Sequence, residues 1–267
     1  MDPLFMARVI LSFLIAGSWI ALVTLLAERL GSRLGGLFAN LPSNVLISLI
    51  FIAVSKDIPF VTAMMPAVPV GMLIDTAFLI VLVVFLKSGL AAGLVMSLGS
   101  WLLLALLAGL LPSSNLWLNV GVYIAGALAI FLAAEKWLRI PSAPGSGKRY
   151  TVSQIVLRAV FAGTIVAGVV LVSHFVPPYL TGIISTFPAV LLSTMVILVK
   201  NRGTDFARAT GKILILSSSN IVVYGVAVYY TFPAFGIIFG TLISFIIAFL
   251  FILLLRPLTG YLAKKNV

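Results

Sequence analysis

Nine apolar segments divide the chain, and each is long enough to cross the hydrocarbon core of a bilayer as a helix. They lie near residues 5–27, 34–54, 60–86, 89–111, 116–138, 154–176, 180–200, 208–231 and 233–255. Hydrophobic residues make up 62% of the 267 residues and charged residues only 9%. A soluble core of this size does not use that much apolar surface. The sequence therefore predicts an all-α polytopic membrane protein with about nine transmembrane helices.

The basic residues are distributed unevenly between the two ends of these segments. With nine spans, fifteen Lys and Arg residues lie on the side of the C-terminus, and only Arg8 and Lys56 lie on the other. Cytoplasmic loops are rich in Lys and Arg, so we expect the N-terminus outside and the C-terminus in the cytoplasm of a prokaryotic plasma (inner) membrane. This distribution explains the net charge of +11 without a nucleic-acid partner. Lys212, one turn into the eighth segment, is expected to snorkel to the cytoplasmic headgroups.

A short motif occurs twice, 146 residues apart. Residues 34–42 read Leu-Gly-Gly-Leu-Phe-Ala-Asn-Leu-Pro, and residues 180–188 read Leu-Thr-Gly-Ile-Ile-Ser-Thr-Phe-Pro. An odd number of spans separates the starts of the two copies, so the second copy enters the membrane from the opposite side. This pattern predicts two inverted four-helix repeats, a common plan in transporters.

The repeat also predicts how the chain is divided. Spans 1–4 form the first repeat, span 5 is the connecting helix, a polar Pro- and Gly-rich stretch is a cytoplasmic linker, and spans 6–9 form the second repeat. The corresponding boundaries are 1–112, 113–140, 141–152 and 153–267.

Each copy of the motif places a proline six residues after a glycine, a combination that interrupts a membrane helix. A helix that begins at such a break presents free N–H groups and the positive end of its dipole, which suit an anion or a polar headgroup. We expect polar residues beside both breaks, and a polar cluster in span 8, to bind substrate. These residues are Asn40, Pro42, Ser43, Asn44, Ser185, Thr186, Pro188, Ser217, Ser218, Ser219 and Asn220. The alternative is a plain proline kink with close helix packing.

Asp75 is the only acidic residue deep within a predicted span. A carboxyl group is costly there and often marks an ion or proton pathway. With one residue of slippage, its counterpart in the second repeat is Asn220. We therefore expect Asp75 to bind a proton or neutralise a cation; a structural hydrogen bond to a neighbouring helix is the alternative.

Other residue types exclude several classes of protein. The chain has no cysteine and a single histidine, His174, so no metal site is expected. No P-loop and no protease signature is present in the sequence, so we expect neither a cofactor nor enzymatic activity. The tryptophans Trp101, Trp117 and Trp137 are expected to anchor span ends at the membrane interface.

One stretch is similar to a known family. Residues 179–230 begin Tyr-Leu-Thr-Gly-Ile-Ile-Ser-Thr-Phe-Pro and include the turn Lys200-Asn201-Arg202-Gly203, which resembles the GlpM-like family of small bacterial membrane proteins. Those chains are about half as long and look like one copy of the repeat. The resemblance implies that this chain is a fused two-copy form, and it implies no substrate.

The leading functional hypothesis is a secondary transporter of a small, amphipathic or anionic solute, working by alternating access at the repeat interface. A flippase for a lipid or lipid-linked headgroup is the first alternative, and a membrane scaffold subunit is the second. The expected partners are membrane lipids and a small-molecule or lipid substrate, and a homo-oligomer is compatible with the sequence.

Overall fold

The protein is a multi-pass helical membrane protein. The computed structural model describes residues 3–29, 41–138, 140 and 150–264, and every regular element in these residues is helical. Seven stretches of the described residues are long and apolar enough to cross a membrane. Of the predicted span at 34–54, the described residues contain the apolar helix Ser43–Ser55, and residues 34–40 lie outside the described residues. The last two predicted spans fall in one continuous apolar stretch, Thr204–Leu255.

Eleven helices follow one another in the described residues. They are α1 (Pro3–Arg29), α2 (Ser43–Ser55), α3 (Ile58–Met64), α4 (Ala67–Phe85), α5 (Leu90–Leu110), α6 (Leu116–Lys136), α7 (Val152–Val172), α8 (Pro178–Ser185), α9 (Ala189–Arg202), α10 (Thr204–Ser217) and α11 (Ser219–Lys264). A short 3-10 turn, Leu86–Ser88, follows α4.

Polar caps fix where several of these apolar helices begin. Asp57 accepts a hydrogen bond from Phe60 N at 2.7 Å at the start of α3, and Asn115 accepts one from Leu118 N at 3.0 Å at the start of α6. Thr151 and Gln154 form a reciprocal capping box before α7. Each cap satisfies an N–H group that has no partner inside its helix, so these helix starts follow from local sequence.

Helix α11 turns back on itself at Gly236, whose φ is +71°. The Thr231 hydroxyl donates to Gly240 O at 3.1 Å and lies 2.7 Å from the Ser244 hydroxyl. In a continuous helix, residues nine apart would be separated by about 13 Å. The two arms of α11 therefore pack side by side as a hairpin.

The turn between α4 and α5 has the same construction. Gly89 has a φ of +107°, and Gly93 lies against Leu82 and Leu86 of the preceding arm. Ser97 follows four residues later and is fully buried, as is Ser244 in the later hairpin. The order Gly, Gly, Ser at four-residue intervals occurs in both hairpins, 147 residues apart.

Helices α1 and α7 cross closely and run in opposite directions. A Cβ atom on Gly17 would lie 3.0 Å from Ala159 O, and one on Gly163 would lie 2.7 Å from Phe13 O. At one end of the pair, the Phe5 ring is 4.9 Å from the His174 ring. Because only glycine allows the two backbones to approach this closely, Gly17 and Gly163 set the separation of the two helices.

Candidate functional site

The two motifs have nearly identical backbone geometry at the prolines that end them. Pro42 has φ −74° and ψ 45°, and Pro188 has φ −77° and ψ 47°. Ser43 N donates a hydrogen bond to Leu41 O at 2.7 Å, and Ala189 N donates one to Phe187 O at the same distance. In each motif a new helix starts directly after the proline, and neither start has a side-chain cap. The break between α8 and α9 thus interrupts an apolar stretch, Pro178–Arg202, that is long enough to span a membrane.

A cavity of about 60 Å³ lies between these two helix starts. Both prolines, Asp75 of α4 and the start of α11 line it, so segments that are distant in sequence meet there. The lining residues are Leu41, Pro42, Ser43, Asn44, Val45, Asp75, Thr186, Phe187, Pro188, Ala189, Val190, Leu191, Ser218, Asn220 and Ile221. The volume is enough for a few water molecules or one small polar group.

Most of the sequence-predicted site residues meet in this cavity. Eight of them line it: Pro42, Ser43, Asn44, Asp75, Thr186, Pro188, Ser218 and Asn220. Three serines do not. Ser185 donates to Gly182 O and Ser217 to Leu214 O within their own helices, and Ser219 donates to Leu216 O of the preceding helix, α10. Asn40 lies outside the described residues.

Asp75 is buried and is held by one strong hydrogen bond. Trp101 Nε1 donates to Asp75 Oδ1 at 2.8 Å, and no salt bridge in the described part of the chain reaches this carboxyl group. The Trp101 ring meets the Phe187 ring edge to face at 4.9 Å. A buried carboxyl group that accepts one hydrogen bond and has no cation beside it gains little compensation for its lost hydration. It is therefore suited to exchanging a proton or binding a cationic group.

Two predictions about individual side chains are wrong. Trp101 is not an interfacial anchor, because it is 6% exposed and bonded to Asp75. Lys212 does not snorkel, because it is 1% exposed and its Nζ donates to Glu135 Oε2 at 2.8 Å and to Ile140 O. The partners of both residues are distant in sequence, and a hydropathy pattern does not reveal them.

Sequence reasoning also missed a residue that supports the start of α4. Asn119 of α6 is buried, and its Nδ2 donates to Pro66 O at 2.8 Å and to Ser113 O at 3.0 Å. Pro66 separates α3 from α4, where a helix break leaves backbone carbonyls without helical partners. The signal was an amide within an apolar span, which costs energy unless it bonds.

Comparison with known proteins matches only part of the chain. Residues 9–111 match a family model described as a protein of unknown function (DUF3147). No curated protein and no solved structure matches the chain. The matched residues run from α1 to the first residue after α5 and stop before α6, so they do not include the 179–230 segment that resembles the GlpM-like family.

Proposed function

We propose that the protein is a secondary transporter that moves a small amphipathic or anionic solute by alternating access. The observation that supports this most directly is the cavity between the starts of α2 and α9. Helices that start at a proline and meet at a cavity with polar side chains in its lining, within an apolar protein, are typical of transporter binding sites.

An inverted repeat supports alternating access, and the proposal includes one. Phe13 and Ala159 are 146 residues apart, as are Gly17 and Gly163. Gly17 contacts Ala159 and Gly163 contacts Phe13, which is the reciprocal pattern of contacts around a two-fold axis. Since α1 and α7 are antiparallel, the axis is perpendicular to these helices, as an inverted repeat requires.

Two further observations favour the same layout. The backbone angles at Pro42 and Pro188 agree within a few degrees, and the two glycine hairpins occupy nearly the same repeat position. The family match to residues 9–111 lies within the first proposed repeat, residues 1–112. The proposed layout has nine spans when α2 is part of a broken span, α10 and the first arm of α11 form one span, and the second arm of α11 forms another.

The proposed mechanism assigns a role to each part of the cavity. The starts of α2 and α9 attract the negative end of the solute, and Ser43, Asn44, Thr186 and Ser218 offer hydrogen bonds. Asp75 takes up a proton when the cavity faces one side and releases it when the cavity faces the other. Rocking of one repeat against the other alternates access, with the crossing of α1 and α7 as the fixed contact.

A flux experiment with Asp75→Asn tests this proposal. The full chain is reconstituted in vesicles that contain a pH-sensitive dye, and a panel of small carboxylates and phosphates is added under an imposed pH gradient. Wild type should move protons with at least one solute, and Asp75→Asn should abolish that pH-driven flux, because an amide accepts the Trp101 bond but exchanges no proton. Asp205→Asn is the matched control, since the Asp205 side chain is 90% exposed.

The outcomes separate the alternatives. Unchanged flux in Asp75→Asn contradicts the coupling role. Movement of labelled lipid between leaflets, without movement of any solute, favours the flippase. No movement of either favours the scaffold subunit.

A further inference from the structure

A second cavity lies beside the first, at the end of the α1–α7 pair that holds Arg158. Its volume is about 30 Å³. The residues that line it are Ile20, Val23, Thr24, Leu41, Ser43, Tyr150, Arg158 and Val190. Leu41, Ser43 and Val190 also line the central cavity, so the two cavities share a wall.

Arg158 is a buried cation without an anionic partner. It is 6% exposed, and the salt bridges of the described residues do not include it. A guanidinium group in an apolar surrounding is costly unless an anion or several hydrogen bonds compensate it. The positive-inside rule accounts for basic residues near the cytoplasmic ends of helices, but it does not require them to be buried. It therefore does not explain why Arg158 is buried.

The guanidinium group is held on one side only. Its Nη1 donates to the Tyr150 hydroxyl at 3.1 Å and to Thr194 Oγ1 at 3.2 Å. The Tyr150 ring lies under the same group, with 5.1 Å between the ring centroid and the central carbon. These contacts orient the guanidinium plane.

The opposite edge of Arg158 is available within the described structure. Nε is buried and has no hydrogen-bond partner in the described part of the chain, and the hydrogen bonds to Tyr150 and Thr194 both come from Nη1. Nε and Nη2 form the edge that binds two oxygens of a carboxylate or phosphate at once. The other repeat has no such feature, because the residue 146 positions earlier is Ser12, whose hydroxyl bonds to Val9 O.

We propose that Arg158 and this second cavity bind an oxyanion group, a carboxylate or a phosphate, carried by a small solute or by a lipid headgroup. Arg158 donates both hydrogen bonds of its free edge, and Thr24 and Ser43 provide hydroxyl groups in the same cavity. The binding of the anion stands on the geometry of Arg158 alone. Only the assignment of this cavity to the solute pathway, as an entry beside the central cavity, rests on the proposed function.

Binding of inorganic phosphate to the purified full chain in detergent tests the proposal. Thermal stability is followed over a phosphate series at constant ionic strength, and radiolabelled phosphate binding is measured at low temperature. Wild type should bind phosphate saturably. Arg158→Lys should weaken the apparent Kd at least about tenfold, because an ammonium group lacks the paired donors, and Arg158→Gln should abolish binding.

Matched variants separate this site from general charge effects and from transport. Lys200→Gln removes an exposed cation and should leave phosphate binding unchanged. Proton-coupled flux of Asp75→Asn is measured separately from phosphate binding, so a failure of proton-coupled transport is distinguishable from a failure of anion binding. Thr194→Val removes one orienting acceptor, keeps the charge, and should weaken binding without abolishing it.

A parallel experiment with lipids distinguishes a lipid headgroup from a small solute as the source of the anion. Phosphatidic acid that stabilises wild type but not Arg158→Gln, with no effect of phosphatidylcholine or inorganic phosphate, identifies a lipid headgroup as the ligand. The proposal is overturned if neither phosphate nor phosphatidic acid binds. It is also overturned if Arg158→Gln retains wild-type binding.

Discussion

Asp75 has a buried carboxyl group whose loss of hydration is compensated by few contacts. It is 1% exposed, it lines the central cavity, and Trp101 Nε1 is its hydrogen-bond donor among the described residues. Its position deep within an apolar segment was sufficient to predict a buried carboxyl group. The donor was not predictable, because Trp101 is 26 residues away and reaches Asp75 only through the packing of α5 on α4.

The bond between Trp101 and Asp75 predicts an unequal effect of two chemically identical substitutions. Trp101→Phe should lower the free energy of unfolding by about 1–3 kcal/mol, because it removes a donor to a buried oxygen. Trp117→Phe should change it by less than about 0.5 kcal/mol, since Trp117 is 61% exposed although its Nε1 also donates to a side chain, the Tyr230 hydroxyl. Equilibrium unfolding in detergent measures both.

Trp101→Phe also replaces the indole by a smaller ring, and a double substitution controls for that change. In an Asp75→Ala background, Trp101→Phe should cost clearly less, because no buried oxygen then loses its donor. An equal cost in both backgrounds would show that the ring, and not the hydrogen bond, stabilises the protein.

The helices of this protein begin and end where local chemistry dictates, and that is why the sequence predicted many of them. Pro42 and Pro188 each fix φ and remove a donor, so the starts of α2 and α9 followed from two residues. Both hairpins also carry a shared sequence pattern, Gly89-Gly93-Ser97 and Gly236-Gly240-Ser244, which is weak as a signal because small residues are common in an apolar background. The ion pair between Lys212 and Glu135 was not predictable, because it joins α10 to α6 and depends on their packing.

The positive φ of Gly236 predicts that two Gly→Ala substitutions change the stability of the protein in opposite directions. Gly236→Ala should destabilise the protein by about 1–2 kcal/mol, because its positive φ is unfavourable for a residue with a Cβ atom. Gly168→Ala in α7 should be neutral or should stabilise by up to about 1 kcal/mol, since a Cβ there meets open space. Thermal unfolding in detergent measures both, and a loss of equal size at Gly168 would contradict the role of φ.

At the scale of the whole molecule, the proposed arrangement of two inverted halves is argued from contacts between distant segments. The 146-residue spacing of the motifs predicted a duplication, and the charge bias predicted its inversion. The reciprocal contacts of Gly17 and Gly163 are an independent argument for the same two-fold relation. The sequence did not reveal the second cavity, because Arg158 looked like one of fifteen cytoplasmic basic residues until its burial was known.

The proposed inversion of the repeats makes a prediction that requires no knowledge of the substrate. Ser88 and Phe235 precede the two hairpin glycines, Gly89 and Gly236, and both are exposed. The chain has no cysteine, so Ser88→Cys and Phe235→Cys each introduce a single thiol. If the repeats are inverted, a membrane-impermeant maleimide should label one variant in intact cells and the other only after permeabilisation. The positive-inside rule assigns Phe235→Cys to the outer face, and labelling of both variants from the same side would contradict the inverted repeat and the alternating-access mechanism built on it.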